Sequence, residues 1–172
     1  MTPRTASEQL VERALAYVGG GAVRVVDVGT GSGAIAIAIA AAAPEANVWA
    51  TDTSSSAVAL ARANVHDHGL TDRVTVCEGD LLEPVSGAVD LVVANLPYLA
   101  EARADEYPDL AGEPAAAVFS SGDGLDPYRR LLAACSERLT SDGAVVLQHR
   151  RRVLTATRRE LPALVTALEA AA

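Results

Sequence analysis

The sequence predicts an α/β fold in which a mostly parallel central sheet carries helices on both of its faces. Short apolar stretches rich in valine alternate with stretches of helical character, and this alternation is typical of parallel strands joined by helices. Glycine, aspartate or asparagine follows where several of these strands end. The chain has 172 residues, 50% of them hydrophobic, which is enough for one domain with its own core.

The first strand and the first long helix of this pattern are joined by a loop that contains three glycines. Val25–Val28 is a strand of valines interrupted by Asp27, and Ala34–Ala43 is a small apolar helix that Pro44 ends. Glycine lets the backbone adopt positive φ and lets a ligand approach closely, and the glycines here are Gly29, Gly31 and Gly33. We expect this unit to open a nucleotide-type pocket at the carboxyl end of a parallel strand.

Three interpretations of this loop remain open. The pattern Gly29-x-Gly31-x-x-Ala34 satisfies the relaxed dinucleotide-binding fingerprint, and Asp52 follows at about the expected distance. Asp27, two residues before the first glycine, favours instead a loop that binds S-adenosylmethionine (SAM). The third interpretation is a tight strand-to-helix turn without a ligand, which would need only one glycine.

The rest of the chain continues the alternation of helices and strands. A helix that Ser7 is expected to cap runs to Val18 and carries an apolar stripe of Leu10, Val11, Ala14, Leu15 and Val18. The further predicted elements are strand Asn47–Thr51, a helix from Thr53-Ser54-Ser55 to about His68, strand Arg73–Glu78, strand Asp90–Ala94, a helix from Asp126 to about Leu139, and strand Ala144–Leu147.

Acidic residues lie where the second and third strands end. Asp52 is placed to accept hydrogen bonds from the two hydroxyls of a ribose, and its alternative role is to cap the helix that follows. Asp80 would lie near the adenine end of a nucleotide cofactor, with Leu81 packed on the ring. A surface turn is the alternative for Asp80, because Gly-Asp is common in turns.

The fourth strand leads directly into Asn95-Leu96-Pro97-Tyr98. An asparagine at a strand end puts its side-chain oxygen at the mouth of the pocket, and Pro97 restricts Leu96 so that its carbonyl points the same way. These two oxygens can accept both hydrogens of a planar NH2 group, and Tyr98 offers a flat surface for stacking. The stretch therefore suits a primary amide or an exocyclic amine as methyl acceptor, with a polar turn as the alternative.

Composition and charge argue against several classes of function. A net charge of −8 argues against a general nucleic-acid binder, and an aromatic content of 3% leaves few surfaces on which bases could stack. Cys77 and Cys135 are isolated and are interpreted as reduced thiols in the core of a cytoplasmic protein. His66 and His68 do not share a helix face, so we expect no metal site there. The N-terminus lacks a signal-peptide pattern, and the apolar run Ala34–Ala43 is too short to span a membrane.

Four stretches together resemble the HemK/PrmC family of SAM-dependent protein-glutamine N5-methyltransferases, which act on peptide-chain release factors. They are DVGTGSGAIAIAIA, TDTSSSAVALARAN, GDLLEPVSGAVDLVVANLPY and EPAAAVFSSGDGLDPYRRLLAACSERLTSDGAVVL, nearly collinear with the family from about Val23 to Leu147. The resemblance implies a Rossmann-like class I methyltransferase that uses SAM and releases S-adenosylhomocysteine. The cofactor residues that it implies are Asp27, Gly29, Thr30, Gly31, Ser32, Gly33, Asp52, Thr53, Asp80, Leu81 and Asn95. The residues implied to hold the acceptor glutamine are Asn95, Leu96, Pro97 and Tyr98.

The chain departs from the family at four places. Leu96 stands where the family has the first proline of Asn-Pro-Pro-Tyr, and the resulting Asn-Leu-Pro-Tyr is the form also seen in ribosomal RNA adenine dimethylases. Gln148-His149-Arg150 replaces the family's Glu-Ile-Gly at the end of the fifth strand. The family's helical N-terminal domain is missing, and the chain stops at Ala172, where the last two strands of the sheet would be expected. A strand edge left exposed in this way would need cover, for which a homodimer or a partner protein is our hypothesis.

We therefore expect a single domain of three parts. These parts are an N-terminal helix (residues 1–22), a cofactor-binding core (residues 23–148) and a divergent helical segment (residues 149–172) in which Pro162 interrupts or starts a helix. The cluster Arg150-Arg151-Arg152 with Arg158-Arg159 is interpreted either as solvated helix faces or as a site for phosphate or an acidic partner.

The polar stretch Leu99–Ser121 is predicted to be a loop over the pocket, made acidic by Glu101, Asp105, Glu106 and Asp109. Such a loop would repel RNA phosphates and accept a cationic peptide or amine. Three functions remain open: methylation of an amide or amine, with a release-factor glutamine as the acceptor that the resemblance implies; methylation of a small-molecule amine or an adenine; and a non-catalytic SAM- or nucleotide-binding module that works through a partner.

Overall fold

The computed structural model describes residues 5–19, 23–97, 99–100, 119–120, 122–149 and 152–170. The helices are α1 (Thr5–Val18), α2 (Ala34–Ala42), α3 (Ser55–Asp67), α4 (Asp126–Arg138) and α5 (Leu161–Glu169), the last preceded by a 3₁₀ turn, Arg158–Glu160. The strands are β1 (Val23–Val28), β2 (Ala46–Asp52), β3 (Val74–Glu78), β4 (Val89–Ala94), β5 (Leu99–Ala100), β6 (Phe119–Ser120), β7 (Leu139–His149) and β8 (Arg152–Thr157).

The main sheet has six strands in the order β3-β2-β1-β4-β7-β8. Every neighbouring pair from β3 to β7 is parallel, and only β8 runs antiparallel, against β7. The two short strands β5 and β6 pair with each other in a small parallel sheet of their own. The predicted α/β fold with a mostly parallel sheet is thus confirmed. Most element ends fall within one or two residues of their predicted positions, whereas β7 begins at Leu139, well before the predicted Ala144.

Helices cover both faces of the main sheet, as the fold class requires. On one face α1, α2 and α3 pack against alternate residues of the strands, among them Val25, Val93 and Val146. On the other face α4 and α5 pack against the intervening residues, such as Val26 and Val92. Because successive side chains of a strand point to opposite faces, strands buried on both sides consist of nearly continuous apolar residues.

Two helix starts tested the capping predictions. Ser54 caps α3, and its hydroxyl accepts a hydrogen bond from the Ala57 amide at 3.3 Å. The expectation that Ser7 caps the first helix is wrong, because α1 already begins at Thr5 and Ser7 lies inside it. The predicted apolar stripe of α1 is confirmed, since Leu10, Ala14 and Val18 are buried against the sheet.

The segment 149–172 differs from the helical segment that the sequence suggested. Residues Arg152–Thr157 form strand β8, which pairs in register with β7 from His149↔Arg152 to Ala144↔Thr157. Val153 packs into the core on one face of the sheet and Leu154 on the other, which is why this short β-branched stretch is more stable as a strand. A helix begins only afterwards, with Pro162 in its first turn, so the expectation that Pro162 starts a helix is confirmed.

Strand β8 also changes the expectation about an exposed edge. It covers the outer side of β7, so the edges of the main sheet are β8 and β3. Arg158 donates to the backbone oxygens of Leu139 and Ser136 at 2.7 and 2.8 Å, so this member of the arginine cluster stabilises the end of α4. Arg150 and Arg151 lie outside the described residues, and so does most of the predicted acidic loop, residues 101–118 and 121.

No helix in the described part of the chain has the length and apolar character needed to cross a membrane.

Candidate active site at the carboxyl edge of the sheet

The strand ends bring most of the predicted site residues to one edge of the sheet. The register aligns Val28 of β1 with Thr51 of β2 and with Ala94 of β4, and it aligns Ala94 with Leu147 of β7. The residues that follow these strands therefore lie side by side at the carboxyl edge. This is where ligands bind in open α/β sheets.

The glycine loop is fastened to β2 by its backbone. The amides of Gly29 and Thr30 both donate to the carbonyl oxygen of Thr51, at 2.9 and 3.0 Å. Gly31 adopts a φ of +57°, and a Cβ atom placed on it would meet no atom of the described residues within 4 Å. The space in front of Gly31 is therefore open, as it would be if a ligand were to lie against the backbone.

Asp27 is fully buried behind this loop. Its Oδ2 accepts hydrogen bonds from the Thr30 hydroxyl at 2.6 Å and from the Ala36 amide, in the first turn of α2, at 3.2 Å. Burial raises the pKa of Asp27 to about 6, because the two hydrogen bonds offset only part of the cost of burying the charge. Its second oxygen, Oδ1, has no hydrogen-bond partner among the described residues. A buried oxygen of this kind is a candidate acceptor for a donor from a ligand.

Asp52 connects the glycine loop to the start of α3. Its Oδ2 accepts from the Gly31 amide at 2.9 Å, and its Oδ1 accepts from the Ser54 amide at 2.9 Å. Ser54 is the residue that caps α3, so the capping role that was the alternative for Asp52 belongs to Ser54. Each carboxylate oxygen keeps free lone pairs, so a pair of ribose hydroxyls remains a suitable ligand. Thr53, beside Asp52, is exposed.

Leu81 is the one non-glycine residue with positive φ among the described residues, at +48°. Its carbonyl accepts a hydrogen bond from the Thr51 hydroxyl at 2.8 Å, which holds the strained backbone in place. The neighbouring Asp80 pairs with Arg130 of α4. A groove of about 410 Å³ runs between this turn and α4, lined by Asp80, Leu81 and Arg130 among others.

The stretch that starts at Asn95 lies directly beside the glycine loop. Asn95 is half-buried, and the Leu96 side chain is buried so close to the loop that a Cβ on Gly29 would lie 2.9 Å from Leu96 Cδ2. The carbonyl of Leu96 accepts a hydrogen bond from the Tyr128 hydroxyl at 2.9 Å. The structure therefore brings Asn95 and Leu96 to the loop, Pro97 follows them in the chain, and Tyr98 lies outside the described residues.

Three residues of this edge were missed at the level of sequence. Tyr128 of α4 is fully buried and also donates to the Gln148 carbonyl at 2.6 Å. Its ring meets the buried His149 ring edge to face, with centroids 5.6 Å apart. The Gln148 side chain is buried as well, and its Oε1 has no partner among the described residues. Tyr128 belongs to the apolar stripe of α4, so its spacing in the sequence could predict only that it is buried in the core.

The described residues contain no group of three or more histidine, cysteine, aspartate or glutamate side chains that could hold a metal ion. His66 is exposed and its Nδ1 lies 3.3 Å from a carboxylate oxygen of Asp67, while the His68 ring contacts the backbone of Asn64. Cys135 is buried in the core, and burial raises the pKa of its thiol to about 12.

Comparisons with known proteins agree on the kind of domain. The sequence profile of the "Methyltransferase small domain" matches residues 5–110. The chain is 40% identical over 87 residues to the ribosomal protein uL3 glutamine methyltransferase of Bordetella pertussis, covering 49% of this chain and 29% of that protein. It is 43% identical over 152 residues to the release factor glutamine methyltransferase of Xylella fastidiosa, covering 87% of this chain and 55% of that protein.

Solved structures show the same fold. The crystal structure of precorrin-6y C5,15-methyltransferase from Geobacter metallireducens superposes with a TM-score of 0.63 at 17% identity, covering 98% of this chain and 70% of that one. The curated relatives confirm the resemblance to protein-glutamine methyltransferases that the motifs indicated, and the solved structure shows the fold alone. The chain spans 29% and 55% of the two curated relatives described above.

Proposed function

Because this chain belongs to the methyltransferase small-domain family, we propose that it transfers a methyl group from SAM to the side-chain amide nitrogen of a protein glutamine. The observation that carries the proposal is the contact between Leu96 and Gly29, which joins the acceptor stretch to the glycine loop. A methyl donor held on that loop and an amide held by Asn95 would then be neighbours. Holding two reactants side by side lowers the entropic part of the barrier to a transfer reaction.

The residues of the loop fit SAM. The open space in front of Gly31 gives the cofactor room at the backbone, and the unpartnered Oδ1 of Asp27 offers a buried acceptor. Asp52 would accept the ribose hydroxyls, and Asp80 with Leu81 would hold the adenine end beside the groove. The chemistry that SAM supplies when bound is a methyl group on a positively charged sulfur, which makes that methyl group reactive toward a nitrogen nucleophile.

The part of Asn95 and Leu96 is to prepare the acceptor nitrogen. An amide nitrogen is a poor nucleophile because its lone pair is delocalised into the carbonyl group. When the Asn95 side-chain oxygen and the Leu96 carbonyl accept its two hydrogens, electron density moves back toward the nitrogen. With SAM bound, its sulfonium would supply the methyl group to this nitrogen, while Asn95 and Leu96 would keep the amide in place and its displaced proton would leave to solvent.

A release-factor glutamine is the acceptor that we favour. The release-factor methyltransferase relative covers 87% of this chain, whereas the uL3 methyltransferase relative covers 49%. Release factors work in the cytoplasm, so a cytoplasmic location is part of the same proposal. A ribosomal-protein glutamine and a small-molecule amine are the alternative acceptors, and the experiment below separates them.

The test is methyl transfer from SAM with a labelled methyl group to three acceptors in parallel. The acceptors are a purified release factor, purified ribosomal protein uL3, and the low-molecular-weight fraction of a cell extract. We expect label on the release factor, and no label when the glutamine of its Gly-Gly-Gln loop is replaced by asparagine. Label on uL3 alone, or in the small-molecule fraction alone, would overturn the assignment to a release factor. If no fraction is labelled although SAM binds, the proposed activity itself is wrong.

A further inference from the structure

Tyr128 ties together the ends of two neighbouring strands at the candidate active site. It is 0% exposed, and its hydroxyl lies 2.9 Å from the Leu96 carbonyl oxygen and 2.6 Å from the Gln148 carbonyl oxygen. Leu96 lies just beyond the end of β4, and Gln148 lies near the end of β7. The hydroxyl therefore bridges the acceptor stretch to the neighbouring strand, beyond the last paired residues Ala94 and Leu147.

The chemistry of this bridge determines what it does. A backbone carbonyl can only accept hydrogen bonds, so the single hydroxyl hydrogen of Tyr128 is shared between the two oxygens. Without the hydroxyl, the carbonyl groups of Leu96 and Gln148 would be buried against the apolar edge of the ring and would lose this donor, which costs free energy. A carbonyl oxygen has two lone pairs, so the Leu96 oxygen keeps one for a further donor. Tyr128 thus fixes the direction of this carbonyl and uses only one of the two lone pairs of its oxygen.

The backbone of Leu96 needs such support. Pro97 restricts Leu96 to extended conformations but leaves its φ angle free to vary, because Leu96 itself has no ring. The Tyr128 ring cannot drift easily, since it packs in the core and meets the His149 ring edge to face. The hydrogen bond from the rigidly packed Tyr128 therefore constrains the backbone of Leu96.

We propose that Tyr128 is a positioning residue for the methyl acceptor, and that its hydroxyl aims the Leu96 carbonyl at an N–H of the acceptor amide. The proposal rests on the role of Leu96 in the proposed function. Tyr128 does not touch the reacting atoms and acts through Leu96.

The first experiment compares the wild-type protein with Tyr128→Phe, which keeps the ring and removes the hydroxyl. We expect kcat/KM for a glutamine-containing acceptor to fall about tenfold, as for the loss of one well-placed hydrogen bond. The dissociation constant for S-adenosylhomocysteine should stay within about twofold of the wild-type value, because the cofactor residues are not touched. An unchanged kcat/KM would overturn the proposal, and so would an equal loss of cofactor affinity.

A control and a rescue separate positioning from general stability. Leu168→Ala removes a buried side chain of α5 from the same core cluster and should lower Tm without changing kcat/KM, measured well below Tm. Leu96→Pro, combined with Tyr128→Phe, should restore part of the lost kcat/KM, because a proline ring fixes φ where the hydroxyl no longer holds the carbonyl. If Leu168→Ala lowers kcat/KM as much as Tyr128→Phe does, Tyr128 has only a structural role.

A second measurement tests Tyr128 without any turnover. Labelling leucine carbonyls with ¹³C and proline nitrogens with ¹⁵N gives carbonyl–nitrogen correlations only from the two Leu-Pro pairs, Leu96-Pro97 and Leu161-Pro162. In Tyr128→Phe the Leu96 carbonyl signal should move upfield as it loses its donor, while the Leu161 signal serves as the internal reference. If both signals keep their wild-type positions, the hydrogen bond from Tyr128 to the Leu96 carbonyl is absent and the proposal fails. If the signal moves but the wild-type protein neither binds nor methylates a glutamine acceptor, the proposed function is wrong while the hold of Tyr128 on Leu96 stands.

Discussion

The two halves of the carboxyl edge are held together by different kinds of contact. On the side between β1 and β2, where we propose that SAM binds (the cofactor side), the contacts join residues that belong to the motifs themselves. The Gly29 and Thr30 amides donate to the Thr51 carbonyl, and the Gly31 amide donates to Asp52. Each of these contacts spans little more than one strand-helix-strand unit.

On the side between β4 and β7, where we propose that the acceptor binds (the acceptor side), the decisive contact comes from Tyr128, a residue to which the sequence analysis assigned no role in the site. Tyr128 reaches Leu96 across a sequence separation of 32 residues and Gln148 across a separation of 20. Its helix, α4, follows a stretch that is for the most part outside the described residues. A site of this kind depends on how α4 packs on the sheet.

The difference predicts which property a substitution in each half would alter. The cofactor side is built from backbone geometry that few residue types can satisfy, so its sequence is recognisable. The acceptor side is built from a side-chain hydroxyl of a distant helix, which the local sequence pattern does not reveal. We therefore expect substitutions on the acceptor side to change the reaction and substitutions on the cofactor side to change binding and stability.

The largest effect is expected from Asn95→Ala, which removes one of the two proposed acceptor oxygens. Methyl transfer should fall by about 10²–10³-fold, as for the loss of a donor or acceptor that acts in the transition state. Binding of SAM, measured by calorimetry, should change little. The matched control is Asn47→Ala, an exposed position near the start of β2, which should leave both quantities unchanged. Wild-type turnover in Asn95→Ala would show that the Asn95 side chain does not hold the methyl acceptor.

The next effect concerns the pH dependence of stability through Asp27, on the cofactor side. Its folded-state pKa of about 6 lies above its ordinary value of 3.8, so the folded protein holds an extra proton between these values. The stability that this proton provides is fully present below about pH 3.8 and is lost as the pH rises through about 6. Between pH 4 and pH 7 the wild-type free energy of unfolding should therefore fall by about 2 kcal/mol relative to that of Asp27→Asn. Denaturant unfolding of both proteins across this range measures the difference, and a flat or rising difference would contradict the burial argument.

A smaller effect is expected from Gly31→Ala, which tests whether SAM lies against the Gly31 backbone. The new methyl group meets no described atom of the protein but would enter the space proposed for SAM. We expect the dissociation constant for SAM to rise at least about tenfold, which corresponds to about 1.4 kcal/mol. Gly69→Ala is the matched control, because Gly69 also has positive φ, at +67°, and open space around its Cβ position. Both variants should lose about 1–2 kcal/mol of stability from backbone strain. Equal SAM affinity in the two variants would argue against a ligand at Gly31.

The smallest effect is expected from Ser54→Ala, which removes the cap of α3. The loss of the hydrogen bond to the Ala57 amide should lower the free energy of unfolding by about 1 kcal/mol. Ser55→Ala, one residue later and exposed, should change it by less than about 0.5 kcal/mol. Denaturant midpoints of the three proteins measure the effect. An equal change in the free energy of unfolding for Ser54→Ala and Ser55→Ala would contradict the capping role of Ser54.

The alternation of short valine-rich strands and helices was sufficient to predict the class of fold and most element ends. The three glycines after Asp27 were sufficient to predict the turn from a strand into a helix, whereas the strand order came only from the structure. These predictions succeeded because they depend on local backbone geometry and on the period of apolar residues. Strand β8 was missed because Arg152–Thr157 is short and becomes a strand only when β7 offers it a partner.

What the sequence alone determined is therefore the fold class, the glycine loop and the placement of Asn95 at a strand end. What only the tertiary structure decided is the contact of Leu96 with Gly29, the bridge from Tyr128 to Leu96 and Gln148, and the burial of His149 beside it. The physical reason is the range of the interactions. Backbone conformation and strand periodicity are set by neighbours in the chain, whereas side-chain packing between α4 and the sheet exists only once the chain has folded.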